Sequence, residues 1–532
     1  MDKVVYVGRI LTLEEPLYAE AMLIQDGVIS ALGSKKEVLE QAGKQAQVVE
    51  LGNNVLMPAF IDAHSHFAAC ANGMFQVPLE EAISFEEIKQ RIHDHIKNNQ
   101  IQPGEFVLAK GYDHNHLEEK VHPTKELLDQ AAPYNPVIIQ HQSGHMGVMN
   151  SLALEKFGIT IETQPPEGGM IEQKNGQLTG YMEENAFIQY LKMAPMPTMQ
   201  EFLQAFEKAQ QMYASYGITT IQEGMLVEEL AELYRPLLDN KLLWLDVVGY
   251  GDLKTAESLK KKFSQHIGQY KDHFRFGGYK IFLDGSPQGK TAWMLHPYKN
   301  AEDGYCGYPT MTNQQVKDAV ALAVGDNMQI LAHCNGDAAA EQYISAAEQV
   351  EKEQPHLKEI KPVLVHAQLT TGEQLQRAAK IGMIPSFFVA HVYHWGDVHI
   401  KNFGLERAKD ISMAATASRL GMTFTFHQDS PVIPPNMLET IWCAVNRITK
   451  AGVVLGEEQK LSPLEAVKAV TIYAARQYSE ESTKGSLAVG KQADLVILSD
   501  DPLQVAPEEI RNIQVLQTIK KGKVVYSGTK GI

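Results

Sequence analysis

The sequence predicts an α/β protein, a TIM-like (β/α)8 barrel with a small β-sandwich domain built from both chain termini. Three observations carry this expectation. Through the middle of the chain, short apolar runs alternate with amphipathic stretches, the pattern of strand-then-helix units in a parallel sheet. Eight such runs can be counted, and several end in histidine or aspartate. Both ends of the chain instead carry β-rich segments separated by turns, and neither end has an obvious core of its own.

Residues 1–57 read as the first part of the terminal β domain. A β-rich run at 4–13 is followed by 21–32, which carries the hairpin-type turn Gln25, Asp26, Gly27, and by a short run at 47–51. Residues 484–532 read as its second part, with runs at 486–498, 515–519 and 524–527. The barrel is expected between them, over 58–483. Its first strand is the apolar run from Val55 that ends in His64 and His66. The others are expected at 217–223, 242–249, 278–284, 328–333, 362–366, 384–389 and 423–429, with helices at 200–216, 313–324, 338–353 and 373–381. The gap between His66 and Gly217 is too long for one crossover. A helix is readable at 84–99, and about 104–190 reads as a glycine-punctuated insertion of the kind that builds part of a substrate pocket.

Composition narrows the function. The chain has 532 residues, 44% of them hydrophobic, enough for a large barrel with an appendage. Lys and Arg number 48 against 64 Asp and Glu, a net charge of −16 with no long charge run. That balance argues against nucleic acid or an anionic membrane as partner and mainly implies solubility; a small-molecule substrate is the expected partner. The four cysteines, Cys70, Cys306, Cys334 and Cys443, are far apart, which fits reduced thiols in the cytoplasm. No signal peptide or membrane span is expected from the sequence. No glycine-rich phosphate loop follows a strand, which disfavours a nucleotide-binding enzyme.

The chemistry concentrates at strand ends. Strand alternation puts positions i and i+2 on one face, so His64 and His66 are expected to project together. His333 ends the fifth strand, His366 the sixth and Asp429 the eighth. Carboxyl ends of barrel strands form one rim, and imidazoles with a carboxylate suit a divalent metal of the zinc class. Asn335 and Asp337 are expected to cap the helix after the fifth strand. Glu223 reads as a rim carboxylate or an outer partner of the site. His391, His394 and His399, beside Tyr393 and Trp395, read either as pocket lining or as solvated loop residues.

The order His-x-His, Lys, His, His, Asp over a barrel with a split β domain resembles the amidohydrolase superfamily of metal-dependent hydrolases. Lys280 through Ser286, the stretch His333, Cys334, Asn335, Gly336, Asp337, and Ser143, Gly144, His145 with Asn150 through Leu154 look more narrowly like its amidohydrolase 3 (YtcJ-like) branch. The resemblance implies one or two divalent ions per chain, zinc by default. His64, His66 and Asp429 would hold the more buried ion, and His333 and His366 the second. Lys280 matches the family lysine whose amine is carboxylated to bridge two metals. Asp429 would be the general base, with His366 or His145 stabilising the oxyanion. The implied activity is hydrolysis of a C–N bond in an amide or an N-acyl or N-formyl amine. Alternatives are a deaminase or cyclic-amide hydrolase of the same superfamily and, third, a non-catalytic scaffold. A homodimer is expected.

Overall fold

The computed structural model describes residues 3–195, 198–299 and 301–528. They form two compact units. One comprises the chain up to Ala69 and from Ala209 onward; the other is Cys70–Lys208.

The first unit is built on eight parallel strands that pair in sequence order: Phe60–Ile61, Ile218–Leu226, Asp246–Asp252, Phe274–Phe282, Gln329–Cys334, Val363–His366, Ile384–Phe387 and Thr425–Phe426. Helices such as Asn313–Gly325, Asp337–Glu353 and Gly372–Lys380 separate them. The interior is packed by alternate residues of several strands, among them Val248, Leu331, Val363, Val365 and Ile384, with Tyr478 filling the same cluster. The two end strands are only two residues long, and no ladder joins them among the described residues. The backbone N–H of His66 donates to the Ser430 carbonyl at 2.8 Å instead, tying the two ends of this curled sheet at its rim.

Two expected strands sit elsewhere. The apolar run from Val55 does not lead into the barrel: Val55, Leu56, Met57 and Pro58 end the strand Gln47–Pro58, where they pair with Leu495–Leu498 of the terminal sheet. Only Phe60 and Ile61 pair with the second barrel strand. The third strand starts at Asp246 rather than at 242. Gln210 Oε1 accepts from the backbone N–H groups of Trp244 and Leu245, so that stretch spends its hydrogen bonds outside the ladder.

Strands from both ends of the chain meet in one seven-stranded sheet, in the order Lys523–Ser527, Val515–Lys520, Leu495–Leu498, Gln47–Pro58, Lys3–Leu11, Tyr18–Gln25, Val28–Gly33. All seven terminal strands belong to that one sheet. The helix Lys35–Ala42 covers one face, setting Val38 and Ala42 against Val5, Val7, Ala21 and Leu23. The other face buries Tyr6, Ile10, Met22, Leu56, Leu495 and Leu516 together. A buried ionic cluster joins this sheet to the barrel. Asp246, at the start of the third strand, takes Lys484 at 2.7 Å and Lys520 of the terminal sheet, and Lys520 also reaches Asp494 at 2.7 Å.

The second unit has its own six-stranded sheet. Gln76–Pro78, Val107–Tyr112 and Val137–His141 run parallel, and Met146–Met149, Gln177–Glu183 and Gly169–Lys174 continue antiparallel. This unit is wider than the 104–190 stretch because Gln76–Pro78 pairs with Val107–Tyr112, and the helix Phe85–Asn99 packs on the same core through Ile88 and Ile92. No helix among the described residues is long and apolar enough to cross a membrane.

Candidate metal centre

His64, His66, Lys280, His333, His366 and Asp429 all belong to the first unit, and the fold draws them together. His64 and His66 do not converge by strand alternation. Their strand ends at Ile61, and both lie in the loop that follows, with His66 bridging to Glu223. Gly224 makes room for this loop: a Cβ there would lie 2.8 Å from the His64 ring and 2.8 Å from the Ser65 carbonyl. The two rings sit edge to face, with centroids 5.3 Å apart.

His64 has a defined tautomer. Its Nδ1 lies 2.6 Å from Gln222 Oε1, an acceptor, so Nδ1 carries the hydrogen. Gln222 is held in that orientation because its amide donates to the Ala63 carbonyl at 2.7 Å and to Tyr478 Oη at 2.9 Å. The lone pair of His64 Nε2 therefore faces Lys280 Nζ at 3.1 Å and Asp429 Oδ1 at 3.4 Å. His66 Nε2 is also 3.4 Å from that oxygen. Asp429 Oδ1 is buried with no hydrogen-bond partner.

His333 and His366 form the other half. His366 Nε2 lies 3.1 Å from His333 Nδ1 and 3.9 Å from Asp429 Oδ2. Val363 and Val365 face the interior, so strict alternation would send His366 to the opposite face. Its backbone φ of 70° breaks the alternation, and Asp429 has φ 54°. Such left-handed backbone at non-glycine residues costs on the order of 1–3 kcal/mol each and clusters at functional sites. Behind His333, Asp284 accepts from the backbone N–H groups of Asn335, Gly336 and Trp293 at 3.0, 2.7 and 3.1 Å, bracing the loop after the fifth strand.

The electrostatics favour neutral donors. Burial holds the imidazoles of His64 and His366 well below the ordinary histidine value and lowers His333 to about 4. Burial also lowers Lys280 to about 7 against the pull of Asp429, so its amine is substantially unprotonated near neutrality. Two donors bound about 2.0–2.1 Å from one ion at a near-tetrahedral angle stand about 3.3 Å apart. The spacings of 3.4, 3.4 and 3.1 Å match, and a cation between the carboxylate oxygen and the facing imidazole nitrogens would complement both. The donor set fits a divalent ion.

Two residues given no role from sequence complete the centre. His427 is fully buried, with Nε2 3.0 Å from His366 Nδ1 and Nδ1 2.8 Å from Ser386 Oγ. Gln222 is the other. The available signals were a glutamine inside an apolar strand and a histidine two positions before Asp429. Glu223 is buried and accepts from the Ala68 N–H at 2.8 Å and Tyr234 Oη at 2.9 Å, so it shapes the loop carrying the histidine pair.

Other expectations change. Asn335 and Asp337 do not cap the following helix, whose N-cap is Gly336 with no side-chain bond. Asn335 donates to the Gly285 carbonyl at 2.8 Å, and Asp337 accepts from the Leu295 N–H at 2.8 Å. His391, His394 and His399 lie on the helix His391–Phe403, not in a loop. His391 and His399 are buried 3.1 Å apart, and His394 pairs with Glu439 at 2.8 Å. His145 belongs to the second unit, where it is largely exposed and 3.0 Å from Glu184.

A curled parallel sheet with imidazole and carboxylate donors gathered at its rim suits a metal-binding enzyme. Residues 47–526 match the amidohydrolase family, and the chain belongs to it. It is 27% identical to YtcJ of Bacillus subtilis (strain 168), with 99% of each chain covered. It is also 27% identical to an N-substituted formamide deformylase of Arthrobacter pascens, over 96% of this chain and 95% of that one. Among solved structures, an uncharacterized metal-dependent hydrolase from Pyrococcus furiosus shares the fold, with a TM-score of 0.74, 24% identity, and coverage of 94% of this chain and 100% of that one.

Proposed function

We propose that this chain hydrolyses a non-peptide C–N bond in a small molecule, an amide or an N-acyl or N-formyl amine. His64, His66, Lys280, His333, His366 and Asp429 would hold one or two divalent ions, with zinc suited to the imidazole-rich set. One observation carries the reading: the buried Oδ1 of Asp429 lacks a hydrogen-bond partner and faces two imidazole nitrogens at 3.4 Å. The formamide deformylase relative supports the N-formyl class.

An ion of this class supplies a Lewis acid that acidifies water and polarises a carbonyl. The remaining steps fall to the chain. Asp429 accepts the proton of the attacking water and returns it to the leaving nitrogen, so one carboxylate serves as base and then acid. Gln222 keeps the lone pair of His64 Nε2 aimed inward. His366 Nδ1 is engaged by His427 and its Nε2 faces His333 Nδ1 at 3.1 Å, the spacing of two nitrogens on one ion, which favours a holding role over donation to an oxyanion. Burial holds Lys280 at about 7, so a substantial share near neutrality is the free amine that adds carbon dioxide with loss of one proton, and the resulting carbamate would place an anion beside the imidazoles.

The test is a panel of N-formyl amines, N-acyl amines, cyclic amides and cyclic amidines offered to the zinc-loaded full chain, with Asp429→Asn alongside. Turnover of an acyclic N-formyl or N-acyl amine that Asp429→Asn reduces at least 100-fold is expected. Turnover confined to the cyclic amidines, or unaffected by Asp429→Asn, overturns the reading.

A further inference from the structure

The sheet of the second unit carries an arrangement that the hydrolytic reading does not use. Val107–Tyr112 and Val137–His141 are neighbouring parallel strands, in register at Tyr112 and His141. Asp113 and His114 follow the first, and His141 ends the second. Ligands of open α/β sheets bind beyond the carboxyl ends of parallel strands, and here the sheet also changes to antiparallel pairing at the next strand.

Three donor atoms converge at these ends. His114 Nδ1 is 3.2 Å from His141 Nε2, His141 Nε2 is 3.6 Å from Asp113 Oδ1, and His114 Nδ1 is 3.9 Å from the same oxygen. A point equidistant from three atoms so spaced lies about 2.1 Å from each, the length of a zinc bond to imidazole nitrogen or carboxylate oxygen. Asp113 and His141 are buried, while His114 is 28% exposed and leaves a side open to water.

Outer partners hold the donors. Gln142 Nε2 donates to Asp113 Oδ2, and the backbone and side-chain N–H groups of Asn115 donate to Asp113 Oδ1 at 2.9 and 3.1 Å. The ring of His122 stacks at 4.0 Å on that of His114, and His122 Nδ1 is 3.0 Å from Tyr112 Oη. The Ser143 N–H donates to His141 Nδ1 at 3.1 Å, so the ring proton sits on Nε2. Loading would move that proton to Nδ1, which gives up the Ser143 N–H and donates instead to Ser143 Oγ at 3.0 Å, the usual outer arrangement of a metal-bound histidine.

We propose that Asp113, His114 and His141 form a second divalent-cation site of the zinc class, wholly within the Cys70–Lys208 unit, with its remaining position open to water. It shares no residue with the barrel centre. Two imidazoles and one carboxylate with an open position make a catalytic-type donor set rather than a closed structural one.

The test uses the full chain carrying His64→Asn, His66→Asn, His333→Asn, His366→Asn and Asp429→Asn, dialysed to equilibrium against zinc and read by elemental mass spectrometry. One equivalent should remain and be lost on adding His114→Ala or Asp113→Asn, with melting temperature confirming that each variant folds. Cobalt substitution should give visible absorption that disappears with the same changes. Should the barrel variant misfold, His114→Ala in the otherwise wild-type chain should lower the zinc content by one equivalent. A folded barrel variant that retains no zinc, or zinc content indifferent to His114→Ala and Asp113→Asn, overturns the proposal and leaves a hydrogen-bonded histidine pair. Neither result bears on the barrel centre, which the background substitutions have removed.

Discussion

Replacing Gln222 by leucine isolates the contact that sets the tautomer of His64. The glutamine is fully buried, and leucine fills a similar volume without an acceptor. His64 Nδ1–H then loses its 2.6 Å partner. The other groups that Gln222 touches keep partners: the Ala63 carbonyl still accepts from Gln477 at 2.9 Å, and Tyr478 Oη still donates to the Asp62 carbonyl at 2.7 Å. The stability cost therefore reduces to one buried unsatisfied N–H, about 1–3 kcal/mol. Losing an outer partner of a metal-bound histidine costs about 10- to 100-fold in metal affinity, or about 1.4–2.7 kcal/mol. Chelator competition reads the affinity, and urea denaturation of the metal-free chain reads the stability. Gln222→Glu, which keeps an acceptor, should hold zinc better than Gln222→Leu. A folded Gln222→Leu protein with wild-type zinc affinity would refute the claim that this hydrogen bond aims His64 Nε2 at the ion.

Three further outcomes are expected. Gly224→Ala puts a methyl 2.8 Å from both the His64 ring and the Ser65 carbonyl, so zinc content should fall, with an overpacking cost of about 1–3 kcal/mol in thermal denaturation. Lys280→Ala should lower zinc content relative to wild type if the lysine bridges two ions, and elemental analysis that finds no change removes the bridge. Asp246→Asn leaves Lys484 and Lys520 buried beside a lost charge and should destabilise the chain by about 3–5 kcal/mol at neutral pH. Burial alone would raise the Asp246 pKa, but Lys484, Lys520 and His273 hold it well below the ordinary value. A depressed folded pKa gives stability that is present above the unfolded value, about 3.9, and lost as pH falls below it. Melting temperatures of wild type and Asp246→Asn should therefore converge on acidification below about pH 4, and a constant gap would contradict the assignment.

The chemistry of the barrel was largely legible in the chain. His333 and His366 end apolar runs, and an apolar run bounded by polar residues marks a buried parallel strand wherever it docks. The terminal hairpins were readable for the same local reason, since Asp26 and Gly27 supply the positive φ that their turn demands. What failed was the assignment of strands to sheets. The run from Val55 is apolar enough for either sheet, and only its partner, Leu495–Leu498, far along the chain, decides that it belongs to the terminal one. The helix carrying His391 and His399 was equally ambiguous, because two buried histidines on a helix look like polar loop residues until a packing partner is known.

The sequence by itself determined which donors exist, their order along the chain and the strand ends that present most of them. Those properties depend on residue identity and on hydrophobic period, both of which are local. The tertiary structure alone decided how the donors meet. His64 and His66 converge through a loop made possible by Gly224, and His366 turns inward through a left-handed backbone. The tautomer of His64 depends on Gln222, 158 residues away, and Asp113 and His141 come within 3.6 Å because two strands pair. Distances and proton positions of this kind arise from contacts between remote segments, which no local pattern encodes.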